Sequence, residues 1–122
     1  MANSQLPLVR TDTLHLLEDS LDGERALCRN FVCRYIEMWP ERFARIQAAV
    51  TAGHDEDAMD SALSLRSSAM MVGAEQLGEL VSDLIRLIES GCQSGAAKKL
   101  SALHACGNQT AGQLTTSYLN VA

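Results

Sequence analysis

"SALSLRSSAMMVGAEQL", residues 61–77, is the stretch whose reading decides the fold. With the residue three before it, Ala58, Ala62, Leu65, Ala69 and Val72 recur in alternating steps of four and three, the repeat of one helix face. That stripe is the helix's core face, and "VGA" at 72–74 breaks the run. The segment therefore reads as a bundle helix over about residues 55–72.

The same periodicity extends in both directions. "TAGHDED" at 51–57 stops the preceding helix and caps this one, its acidic residues suiting the positive end of the helix dipole. That preceding helix is expected over about 23–51, with Leu27, Phe31, Tyr35, Met38, Phe43, Ile46 and Val50 inward. Pro40 lies inside it and removes a backbone hydrogen bond, which predicts a kink near Trp39 or, alternatively, two shorter helices.

A short helix over about 12–20, capped by Thr11 or Asp12, turns Leu14, Leu17 and Leu21 to one side as a lid. Downstream, about 75–90 places Leu77, Leu80, Val81, Leu84, Leu87 and Ile88 inward, and "ESGCQSG" ends that helix. The last helix, about 95–120, uses Leu100, Leu103, Gly107, Ala111, Leu114 and Tyr118. Short connections between long helices predict an all-α protein: an antiparallel up-down four-helix bundle with a short extra N-terminal helix, one domain over 1–122.

Composition supports this class and narrows the function. The 122 residues are 47% hydrophobic but only 4% aromatic, and no alternating apolar–polar stretch marks a strand. A net charge of -5 with no basic stripe argues against nucleic acid as partner. "MANSQLPLVR" lacks the apolar core of a signal peptide, and no run approaches a membrane span, so a cytoplasmic protein without membrane contact is expected.

Cys28, Cys33, Cys92 and Cys106 form no C-x-x-C pair and have no histidine at zinc-ligand spacing; they read as small apolar fillers. "HDEDAMD" at 54–60 lacks the glycine and alternating oxygens of a calcium loop. No glycine-rich phosphate loop precedes a helix, and Ser64, Ser67 and Ser68 have no local base to activate them. No enzyme activity, metal or cofactor is expected.

The outward side of the 55–72 helix carries the functional signal. At about 100° per residue, Leu63 lies roughly 130° from the midpoint of Ala62 and Leu65 and should be exposed. Met59, Arg66 and Met70 share that side, so apolar, adaptable side chains gather around one cation, as in a contact surface.

These residues resemble the histidine-containing phosphotransfer (HPt) domain family, whose central helix reads approximately A-H-x-L-K-G-S-A-x-x-V-G-A followed by x-x-L. Ala62, Leu65, Arg66, Ser68, Ala69, Val72, Gly73, Ala74 and Leu77 match without a gap. Phe31, Pro40 and Gly53 also stand at the family's distances, and the resemblance covers about residues 12–91. Leu63 occupies the position of the phosphorylated histidine, and Ser67 replaces the glycine beyond it.

The resemblance implies a two-component phosphorelay module, with response-regulator receiver domains and a histidine kinase as partners. Without an imidazole at 63 no phosphoramidate forms there, so the implied role is binding through Met59, Leu63, Ser64, Arg66, Ser67 and Met70, with Arg66 facing the receiver's acidic pocket. Ser67, in place of glycine, adds bulk that weakens or redirects docking.

Two alternatives remain. The Met59–Leu63–Met70 strip is instead the interface of a structural or dimerising bundle, the chain being otherwise a monomer or weak homodimer. Or another histidine carries phosphate; His54 lies about 14 Å along the axis from Leu63, and His15 and His104 lie on other helices.

Overall fold

The computed structural model describes residues 6–120; the opening five residues, part of the stretch read as lacking a signal-peptide core, and residues 121 and 122 lie outside it. The described residues are all-helical: α1 (Thr11–Ser20), α2 (Arg25–Ala52), α3 (Asp55–Met71), α4 (Glu75–Glu89) and α5 (Gln93–Leu114), the last running into a wider π-helical turn at Thr115–Leu119. α3 packs on α2 and α4, and α5 packs on α4 and α2, so these four helices close around one core; α1 lies against α2 and α3. No helix among the described residues is long and apolar enough to cross a membrane.

α3 turns its whole expected stripe into this core. Ala58, Ala62, Leu65, Ala69 and Val72 are all fully buried, as the four-and-three spacing requires. α4 buries Leu77, Val81, Leu84 and Ile88, adding Ile85, while Leu80 and Leu87 pack at its edges.

α2 matches expectation in its continuity and departs from it in its facing. It is unbroken through Pro40, which excludes the two-helix alternative. Its buried stripe begins with Cys28, Val32, Tyr35 and Trp39, whereas Leu27 and Met38, assigned inward from the sequence, are exposed. Trp39 explains the shift. Its indole lies where a side chain of Gly107 on α5 would be: a Cβ there would stand 1.9 Å from the ring. The indole N–H also donates to Asn108 Oδ1 at 2.8 Å. Turning the largest side chain of the helix inward turns Met38 outward.

The chain before α1 is strapped to the start of α4. Arg10 N–H donates to Gly73 O at 2.8 Å, Gln76 Nε2 donates to Leu6 O at 2.8 Å, and the Arg10 guanidinium meets the Glu75 carboxylate. Arg10 is thereby the residue preceding α1, and neither Thr11 nor Asp12 caps it. Gly73 has φ +78°, and a Cβ there would lie 2.5 Å from Arg10 O, so both conformation and space demand glycine.

At the other end Tyr118 O–H donates to Glu18 Oε2 at 2.5 Å, with Arg25 and His15 also near that carboxylate. The phenol hydrogen bond, first among these, lowers the Glu18 pKa. A carboxylate depressed in the folded state contributes stability above its unfolded pKa and loses it as pH falls through the folded value.

Two outcomes follow from this packing. Gly107→Ala should destabilise the fold by about 1–3 kcal/mol or more in urea unfolding, because Trp39 has no room to yield. Stability should also fall as pH drops below about 4.3. Tyr118→Phe should flatten that acid limb, measured as unfolding midpoint against pH.

Candidate functional site

The alanine seam fixes the rotation of α3 and so decides what its other side presents. Leu63 is 38% exposed and Met70 63% exposed; Ser64 and Ser67 are also open to solvent. Met59 is partly buried and packs against the core, so it belongs to the border of this face. Arg66 is half-buried and makes no ion pair with any described residue. The six sequence-assigned contact residues thus lie along one helix, with Leu63 and Met70 as the exposed apolar points and Met59 as the inner edge.

The two edges of the face differ. Toward α4, Met70 lies over Gly78, its Cγ 3.8 Å from where a glycine Cβ would stand. An open cleft of about 430 Å³ there is bordered by Glu75 and Glu79. Toward α2, Arg42 Nη1 donates to Ser64 Oγ at 3.1 Å, and Ser68 Oγ donates to Ser64 O at 3.2 Å. A cleft of about 190 Å³ beside this link is lined by Met38, Arg42, Arg45, Asp60, Ser61 and Ser64.

Sequence reasoning missed this α2 contribution. Arg34, Met38, Arg42 and Arg45 follow one another at steps of four, four and three, a helix stripe legible in the sequence, but the apolar periodicity draws Met38 to the core. With Met38 outward, its arginine neighbours flank the exposed side of α3. Arg34, Arg42 and Arg45 have no ion-pair partner among the described residues, so their charge is uncommitted.

The histidines lie elsewhere. His54 precedes α3, outside its first turn; His15 is exposed on α1, 3.6 Å from Glu18; His104, exposed on α5, lies against Phe43 with ring centroids 4.6 Å apart. Among the described residues no cluster of three His, Cys, Asp or Glu side chains is arranged to hold a metal.

The cysteines are all free thiols. Burial raises the pKa of Cys28 and Cys106, which keeps them protonated fillers. Cys92 is exposed at the head of α5, so the filler reading is corrected there: the short α4–α5 connection leaves it outside the core.

A family model described as Hpt domain matches residues 30–114, from early α2 to the end of α5. No curated protein and no solved structure matches the chain.

Proposed function

The chain belongs to the Hpt domain family, and from that premise we propose that it is a pseudo-HPt module, one that binds response-regulator receiver domains without carrying phosphate on the usual histidine. Family membership makes it a phosphorelay signalling module. Hpt domains are phosphotransfer carriers rather than catalysts, and they meet response regulators and histidine kinases in phosphorelays.

The observation that carries the finer reading is Leu63, partly exposed at the centre of the outward α3 face, where the motif calls for histidine. An aliphatic side chain accepts no phosphoryl group, yet it supplies apolar contact area. Leu63 and Met70 provide that area, with Ser64 and Ser67 between them and Met59 at the edge. Arg66 from α3, with Arg42 and Arg45 from α2, places three cations without ion-pair partners among the described residues around this face, against Asp60 as the carboxylate lining the same cleft, a balance suited to the acidic pocket of a receiver. Occupying that pocket, the module competes with an active HPt protein or a kinase.

The supporting scaffold is read as an antiparallel up-down four-helix arrangement of α2 to α5 within one domain. The closed order of packing and the short connections favour it. The proposed setting is the cytoplasm.

Titration against a panel of receiver domains should give saturable binding to at least one. Leu63→Asp should weaken it about tenfold or more, since a carboxylate facing an acidic pocket is repelled. Absence of any binding sensitive to Leu63→Asp would contradict the proposal. A homodimer in sedimentation that the same substitution disperses would assign the Met59–Leu63–Met70 strip to self-assembly instead.

A further inference from the structure

The α4 edge of the docking face is an open cleft of about 430 Å³, lined by Leu6 from the chain before α1, Met70 from α3 and one side of α4. That side advances in helical steps from Glu75 through Gly78 and Glu79 to Ser82 and Arg86. Gly78 stands in the middle of the row. Glycine weakens a helix interior relative to alanine, yet no neighbour requires it here. A Cβ at Gly78 would meet Met70 Cγ at 3.8 Å, an ordinary contact, and nothing nearer. Nor is its φ positive. Neither packing nor backbone conformation explains the missing side chain, and its absence keeps open the notch between Met70 and α4.

The charges of the cleft are mostly committed. Glu75 pairs with Arg10, and Arg86 with Asp83. Glu79 is exposed and has no ion-pair partner among the described residues, so the charge left over at this edge is negative. At the α2 edge, where Arg34, Arg42 and Arg45 stand against Asp60, it is positive. An apolar wall with a carboxylate at its rim suits a side chain that has an apolar stem and a cationic head, as lysine and arginine have. A wholly apolar group would cover Glu79 without pairing it. Met70, 63% exposed, belongs to both the docking face and the cleft, so a partner seated on the one covers the other.

We infer that the cleft over Gly78 receives a lysine or arginine side chain of the docked receiver domain, its stem against Met70 and its head at Glu79. The partner then lies across α3 with its acidic pocket toward α2 and this cation toward α4. The site rests on the docking reading above and adds the partner's orientation to it.

The test takes a receiver domain that saturates in the titration above and measures its affinity for Glu79→Lys, Gly78→Ala and Glu89→Lys of the full chain. Exchanging a carboxylate for a cation makes this acidic protein more attractive to an acidic pocket, so a general field effect would tighten binding. The cleft predicts the opposite sign: Glu79→Lys weakens binding about fivefold or more, and reversing one lysine or arginine of the receiver to glutamate restores it. Glu89→Lys, exposed at the end of α4 and outside the cleft, should not weaken binding. Gly78→Ala should raise the urea unfolding midpoint and still weaken binding severalfold, because the added methyl narrows the notch.

Glu79 is exposed and unpaired, so its reversal leaves the fold intact and keeps the test decisive if Gly78→Ala disturbs α4. Receiver binding that Leu63→Asp weakens but Glu79→Lys leaves unchanged or tightens would overturn the cleft assignment alone. Absence of saturable binding to any receiver would overturn the docking reading and the cleft together. A homodimer that Glu79→Lys disperses, with receiver affinity unchanged, would make the arginines of a second copy the occupant and overturn the receiver's place there.

Discussion

The close approach of α3 to its neighbours, which Ala58, Ala62 and Ala69 permit, is the constraint on which the rest of the structure depends. Larger side chains at those points would push α2 and α4 away or roll α3 about its axis. Because the alanines pin that rotation, Leu63 and Met70 have only the outward side to occupy. α2 and α5 solve the same problem differently. There a full indole from Trp39 fills the space that Gly107 leaves empty, and that one contact sets which side of α2 faces in.

The outward face inherits its character from both neighbours of α3. On the α2 side stand arginines without acidic partners; on the α4 side stand Glu75 and Glu79 beside Met70. A chain of net charge -5 thus concentrates positive charge locally, next to its exposed apolar residues. Net charge describes solubility and nonspecific association, whereas the choice of partner rests on such local arrangement. Under the proposed function this is why an acidic protein suits an acidic partner.

Much of this was legible in the sequence because the informative segments are strongly periodic. The seam of α3 and the apolar stripe of α4 each repeat cleanly, and the observed helices begin and end within a few residues of expectation. α2 was harder. Leu27 and Met38 satisfy helical spacing about as well as Cys28 and Trp39, and only the missing side chain at Gly107, a long way along the chain, makes the second set win. Long-range fit of this kind leaves no local signature, so the spacing of the arginines beside Met38 stands in the sequence but not the fact that it faces outward. Helix starts were the other gap. Arg10 precedes α1 because its backbone bonds to Gly73, a tertiary contact that capping preferences do not encode.

Intact-mass analysis of the wild-type protein and Leu63→His, each mixed with phosphorylated receiver domains, tests the central claim most directly. The account predicts acid-labile phosphate on Leu63→His alone: docking geometry survives, and only the acceptor is missing. Phosphate on the wild-type protein would contradict it, since another histidine would then be the acceptor. Silence from both would remove the receiver as the partner of this face.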